Sequence, residues 1–326
     1  MVITTVSFLF FSLVALYLSQ SFVTGNLENL NGFILIAVIL SGIFLVLQLK
    51  KEWGCLKCKI KQNAYSLNKN NALTILALIV GAFITFYLNH SIGLGGVLAS
   101  AVVGLLGAWT FKSYAAAIYC GSFIGMACSQ IFSNPLYLLV AALISGVVFV
   151  LSVHMFVGFG GKLGFTAFIG TFLASHIFQT PLRTVDPLPG DRYLMVFLFV
   201  ILAGMATYML QRTVDMDAVS ASALVGLTFA VVYPDPTNVV VIAAFCATFT
   251  GMVSYNRVKS YSEMFFLSVL TGVMFIAAFS LFDGSGGKLG AIAFLTTVSG
   301  IGMMDFMRTV KRKINGYQKS TITAEN

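Results

Sequence analysis

The same five residues, GGKLG, occur twice in this chain, at Gly160–Gly164 and at Gly286–Gly290, 126 positions apart (286 − 160). The offset also pairs Cys120 with Cys246, Phe123 with Phe249, and Gly125-Met126 with Gly251-Met252. It runs on without a gap through Gly146/Gly272, Phe156/Phe282 and Ala167-Phe168/Ala293-Phe294. An ungapped register of this length marks a duplicated structural unit. Upstream, Ser100-Ala101 and Val103-Gly104-Leu105 match Ser222-Ala223 and Val225-Gly226-Leu227 at an offset of 122 (222 − 100). The shift falls where the second copy carries Pro234-Asp235-Pro236, a turn in which an insertion is cheap.

The surroundings of the repeat fix the fold class. Of the 326 residues 58% are hydrophobic and 9% charged, against about 45–50% and 25% in a soluble domain. Apolar runs of roughly 20 residues, the length that crosses a hydrocarbon core, recur along almost the whole chain. The expected fold is an all-α polytopic membrane protein of about 12 transmembrane helices. A transmembrane barrel would show short alternating segments instead. The spans fall near 2–22, 33–49, 73–88, 94–111, 114–132, 135–157, 163–178, 194–210, 219–233, 239–255, 265–282 and 289–304.

The net charge of +8 does not point to nucleic acid, because the charges lie in short loops and in the C-terminal tail. With both termini in the cytoplasm, 16 of the 19 Lys and Arg residues fall inside, and only Arg183, Arg192 and Lys288 outside. Positively charged short loops stay cytoplasmic, so this bias supports twelve spans in a multi-pass plasma-membrane protein of the bacterial inner-membrane type. The first Lys or Arg is Lys50, so the first span lacks the basic start of a cleaved signal and is read as retained.

Each copy of the duplication then holds five spans. Five is odd, so the two copies enter the bilayer from opposite sides, the inverted-repeat arrangement of many transport folds. The expected organisation is two N-terminal helices with a basic cytoplasmic loop (1–71), a first five-helix repeat with its following loop (72–192), an inverted second repeat (193–307) and a basic cytoplasmic tail that frays (308–326). The two N-terminal spans are expected at the periphery, at a contact between copies in a homo-oligomer. A five-plus-five inverted arrangement resembles that of urea and ammonium channels and of several secondary transporters, which implies an architecture and no particular solute.

The first candidate site is the pair of Gly-Gly-Lys elements, Gly160-Gly161-Lys162 and Gly286-Gly287-Lys288. Paired glycines let backbones approach closely and adopt left-handed conformations, and a lysine there adds a compact positive charge. Two such elements facing one another would favour a small anion or an electronegative solute. The plainer reading is a tight turn with a snorkelling lysine. The second candidate is the pair of segments from Cys120 to Met126 and from Cys246 to Met252. There Ser122, Thr248 and Thr250 either line a path constricted by Phe123 and Phe249 or hold packed helices together. Asp283 stands where the first copy has Val157, and could pair with Lys288 or take a proton or cation.

Five cysteines in apolar spans and a basic loop do not make a disulfide framework. Cys55 and Cys58 form a lone CxxC that lacks the second half of a zinc site. The basic run around them is expected to meet anionic lipid headgroups. No phosphate-binding loop, HExxH or nucleophile elbow is present, so neither a cofactor, a metal nor an enzyme activity is expected. The function expected is a channel or secondary transporter for a small polar or anionic solute. The alternative is a membrane scaffold subunit whose core is plugged by Phe, Leu and Met.

Overall fold

The computed structural model describes residues 2–27, 32–60 and 69–324. Among the described residues the chain forms twelve α-helices. They are α1 (Val2–Thr24), α2 (Gly32–Ile60), α3 (Lys69–His90), α4 (Gly96–Thr110), α5 (Ala115–Gly125) and α6 (Pro135–Leu151). There follow α7 (Lys162–Ile177), α8 (Tyr193–Thr213), α9 (Ala218–Val232), α10 (Val239–Gly251), α11 (Tyr261–Ala278) and α12 (Lys288–Ala324). The only extended pairing among them is a single antiparallel bridge between Arg183 and Asp283.

Local chemistry explains the helix starts. Pro135 opens α6 behind Asn134, whose side chain accepts from Leu136 N. Asp217, Asn238 and Ser260 cap α9, α10 and α11 in the same way, each contributing about 1 kcal/mol. α4 and α7 start instead from glycines without a side-chain cap, Gly95 and Gly161.

Six helices, α1, α2, α3, α8, α11 and α12, are both long and apolar enough to cross a membrane. Of the other six, α4, α5, α6 and α10 are shorter than the sequence runs suggest, whereas α7 and α9 match theirs in length. α5 has 11 residues where a span over 114–132 is expected, and α10 has 13. At ~1.5 Å per residue these reach only about half to two-thirds of the ~30 Å hydrocarbon thickness. Both end where glycines press onto a neighbouring backbone. A Cβ on Gly125 would lie 2.5 Å from Ala82 O, and one on Gly251 would lie 2.7 Å from Gly204 O. Such contacts let α5 pack on α3, and α10 on α8, backbone to backbone.

Contacts between the two halves are reciprocal across the repeat offset. Ser254 N donates to Gly158 O at 3.0 Å, and Cys128 N donates to Gly284 O at 2.9 Å. Thr297 Oγ1 donates to Gly160 O at 2.9 Å, and Thr171 Oγ1 to Gly286 O at 2.7 Å. α4 lies on α9 and α7 on α12, and the two central helices cross at Gly164 and Gly290.

The N-terminal pair is more deeply engaged than a peripheral position implies. The fully buried Phe11 of α1 has ring centroids 4.7 Å from Phe165 and 5.4 Å from Phe294, one on each central helix. Near the other end of α1, Asn26 Nδ2 donates to Ala277 O at 2.6 Å. Glu52 of α2 makes a bidentate pair with Arg257, at 2.6 and 2.9 Å. The opposite faces of both helices stay apolar and exposed, as at Leu9, Leu13, Ile36 and Ile43.

Two further expectations change. Helix α2 runs on into the lysine-rich segment as far as Ile60, while residues 61–68 and the side chain of Cys58 lie outside the described residues. The tail does not part from the last span: no proline interrupts α12, which continues to Ala324 as one helix of 37 residues.

The charged groups collect at two ends. Lys51–Asp305, Arg257–Glu52 and Arg308 with both Glu263 and Asp305 join α2, the α10–α11 connection, α11 and α12 at one end. Arg212 lies over the ring of Tyr255 at the same end, 4.4 Å from its centroid. At the other end Arg183 bonds Gln130, and its backbone pairs with Asp283 at 3.0 and 2.8 Å.

Candidate functional site

The two Gly-Gly-Lys elements face each other across the centre of the bundle. Gly161 and Gly287 have φ of 75° and 82°, a region that only glycine enters cheaply. Neither could carry a side chain in any case: a Cβ on Gly161 would lie 2.3 Å from Phe294 N, and one on Gly287 2.4 Å from Gly164 O. Gly160 wedges against the backbone of Phe249 and Thr250, and Gly286 against that of Phe123 and Ile124. Each glycine pair is therefore seated in the opposite half. Just upstream, Phe156 and Phe282 are left-handed too, with φ of 49° and 55°. That conformation costs an ordinary residue roughly 1–2 kcal/mol, and here it recurs at the paired position.

The lysines fold back onto the helix that precedes them. Lys162 Nζ donates to Ser152 O and Met155 O, both at 2.6 Å, just beyond the last residue of α6. Lys288 Nζ donates to Phe279 O at 2.7 Å, just beyond α11. Ammonium groups at helix C-termini meet unpaired carbonyls and the negative end of the helix dipole. An ammonium has three donors, so one N–H remains on Lys162 and two on Lys288. Among the described residues neither lysine has a carboxylate within ion-pairing distance. Asp283 and Lys288, which the sequence allowed to pair, make no ion pair among the described residues, and the backbone of Asp283 bridges that of Arg183.

Each element borders a cavity. The larger, about 550 Å³, lies against Lys288, Asp283, Ser285, Asn89, His90 and Thr237. The smaller, about 240 Å³, lies against Lys162, Val153, Val157, Phe159 and Met252. Phe123 and Phe249 border both. Their ring centroids are 4.6 Å apart, tilted by 56°, and both rings are buried. Tyr119 lies 4.4 Å from Phe123, and Phe245 4.6 Å from Phe249, so the four rings form one cluster, two members of which border both cavities.

The hydroxyls near this cluster are spent on packing. Tyr119 Oη donates to Ser222 Oγ at 3.0 Å, Ser222 to Thr248 Oγ1 at 2.9 Å, and Thr248 to Phe245 O at 2.7 Å. In the first half, Ser100 meets Ser122 at 2.8 Å, and Ser122 donates to Tyr119 O. Thr250 bonds Thr271 across α10 and α11 at 2.9 Å. Ser122, Thr248 and Thr250 border neither cavity, so their hydroxyls act as interhelical bonds. Cys120 and Cys246 donate to Leu163 O and Leu289 O, at 3.1 and 3.2 Å, tying each short helix to its own Gly-Gly-Lys element.

Sequence reasoning passed over Tyr119 and Phe245, although they stand at the repeat offset immediately before the two cysteines. It also gave no role to Asn89, His90 or Val185, which border the larger cavity; those positions carry no repeat signal. No group of three or more His, Cys, Asp or Glu among the described residues could hold a metal ion. The chain matches no protein-family model, no curated protein and no solved structure.

Proposed function

We propose that this is an integral membrane channel or secondary transporter that moves a small polar or anionic solute between two inverted five-helix halves. The observation that carries the proposal is the pair of cavities, one at each Gly-Gly-Lys element, that end on the same two rings, Phe123 and Phe249. A solute site bounded by symmetric elements at the seam of a repeat is the usual arrangement of inverted-repeat transporters. An apolar constriction of this kind gates by excluding water until it opens.

The inverted relationship is supported by the reciprocal contacts. When one surface meets its own equivalent through a half-turn, residue i touches j and the equivalent of j touches the equivalent of i. The bonds to Gly158 and Gly284, and those to Gly160 and Gly286, follow that rule. Five helices per half then put the axis in the membrane plane. The Lys51, Arg257 and Arg308 end becomes the cytoplasmic face, where anionic headgroups meet the basic residues. The cavity beside Lys162 opens toward that face, and the cavity beside Lys288 opens away from it.

The four-ring plug also fits the second reading, a scaffold subunit with a filled core that moves nothing. Solute flux into vesicles separates the two. Replacing both Phe123 and Phe249 by Ala joins the two cavities, so a pathway protein then passes small solutes at least ten times faster than the parent. A folded Phe123→Ala/Phe249→Ala protein that passes none of them would leave the scaffold reading standing.

A further inference from the structure

We infer that the solute is a monovalent anion with delocalised charge, a planar oxyanion or small carboxylate. This rests on the proposed pathway and names what passes along it. The first observation concerns charge. Any solute crossing between the cavities passes Lys288 on one side of the aromatic plug and Lys162 on the other. Among the described residues neither ammonium has a carboxylate at contact distance, and their hydrogen-bond partners are backbone carbonyls. At an effective dielectric of about 20, a unit charge about 6 Å from an ammonium group changes in occupancy by roughly a hundred-fold. A cation pays that factor twice, and an anion gains it twice.

The second observation concerns hydration. Between the lysines the path is bounded by Phe123 and Phe249, with Tyr119 and Phe245 behind them. The one hydroxyl in that group, on Tyr119, is committed to Ser222. Nothing there replaces a lost hydration shell, and an unpaired charge in such surroundings is costly. The Born cost rises with the square of the charge, so a dianion such as sulfate is excluded. A monovalent anion with spread charge sheds its water most easily. A neutral solute meets no such barrier, but it makes no use of two charged side chains, which are expensive to hold inside a membrane. Capping alone does not exhaust Lys288, which keeps two N–H bonds at the cavity it borders.

The larger cavity contains a built-in opponent. Asp283 borders it without pairing to Lys288 and opposes anion entry there, whereas the first copy has Val157 at the corresponding position. His90 and Cys128 are the other titratable side chains that border that cavity beside the lysine. The charge reading therefore predicts opposite effects for two neighbouring substitutions, Lys288→Gln and Asp283→Asn, which loss of packing would not produce.

The full chain in phospholipid vesicles tests this, with swelling followed in potassium nitrate, potassium formate and potassium sulfate plus valinomycin, and in urea. Nitrate and formate are expected to enter at least ten-fold faster than into protein-free vesicles, with sulfate at background. Lys162→Gln and Lys288→Gln each cut nitrate entry ten-fold or more, Lys288→Arg restores it, and Asp283→Asn raises it several-fold. If the parent is closed to all four, the same comparison is read in the Phe123→Ala/Phe249→Ala protein. Entry of urea without nitrate, or nitrate entry indifferent to both lysine substitutions, overturns the anion assignment and leaves the pathway in place. No entry of any solute in either protein overturns the pathway itself.

Discussion

Gly164 and Gly290 meet so closely that a Cβ on Gly164 would lie 2.5 Å from Gly290 Cα, and one on Gly290 would lie 2.4 Å from Gly164 Cα. The crossing of α7 and α12 is fixed by this contact, and the two cavities lie on either side of it. Small residues at such a crossing let helices approach until their backbones touch.

Gly164→Val is therefore expected to force α7 and α12 apart, at a cost of about 1–3 kcal/mol. Thermal unfolding in detergent should fall by several degrees. Gly54→Ala is the control, because nothing lies within 4 Å of a Cβ at that helical position. It should leave unfolding unchanged or raise it slightly, since alanine is favoured over glycine in a helix by about 1 kcal/mol.

Tyr119→Phe restores the side chain that the second copy carries at Phe245, and tests the hydroxyl chain. It removes the bond to Ser222 but leaves Ser222 bonded to Thr248. The expected loss is about 1 kcal/mol, measured by unfolding. Solute flux should change by less than a factor of two, because the ring stays in the plug. A large change in flux would make the hydroxyl part of the path.

Glu52→Gln leaves Arg257 without its carboxylate, while Arg257 stays over the Phe159 ring with its centroid 4.2 Å away and bonded to Val157 O at 3.2 Å. Removing one partner of a largely buried pair costs about 3–5 kcal/mol. Because the Arg257 side chain is 25% exposed, the lower end of that range is expected. Gly158 and Phe159 border the Lys162 cavity, so that rim should also loosen. A cysteine at Val153 should react faster with a thiol reagent in the Glu52→Gln protein than in the parent.

Much of this arrangement was legible in the residues themselves. The ungapped offset marks Gly161 and Gly287, Phe123 and Phe249, and Lys162 and Lys288 as pairs; the structure gives the two glycines reciprocal contacts, whereas Lys162 bonds Ser152 O and Met155 O and Lys288 bonds Phe279 O. What the offset does not carry is length and burial. α5 reads as a full span because Ala127, Ile131 and Phe132 are apolar, yet the helix stops at Gly125, where the chain backs onto Ala82. Ser122 and Thr248 read first as packing, with path-lining as the alternative. Only their partners, Ser100 and Ser222 on neighbouring helices, decide between the two. α1 reads as peripheral because it lies outside the repeat, and the contacts of Phe11 with Phe165 and Phe294 depend on α7 and α12 coming together. The backbone bridge between Asp283 and Arg183 of the proline-rich loop is a long-range contact that no local pattern encodes.

The inversion of the two halves is tested most directly by labelling equivalent loops from the two sides of the membrane. Ser91 and Thr213 are exposed, follow or end the equivalent helices α3 and α8, and lie 122 positions apart (213 − 91). In a chain with its five cysteines replaced, an impermeant thiol reagent added outside intact cells should label Ser91→Cys and not Thr213→Cys. Added to inside-out vesicles, it should label Thr213→Cys and not Ser91→Cys. Labelling of both positions from the same side would contradict the inverted halves and the pathway built between them.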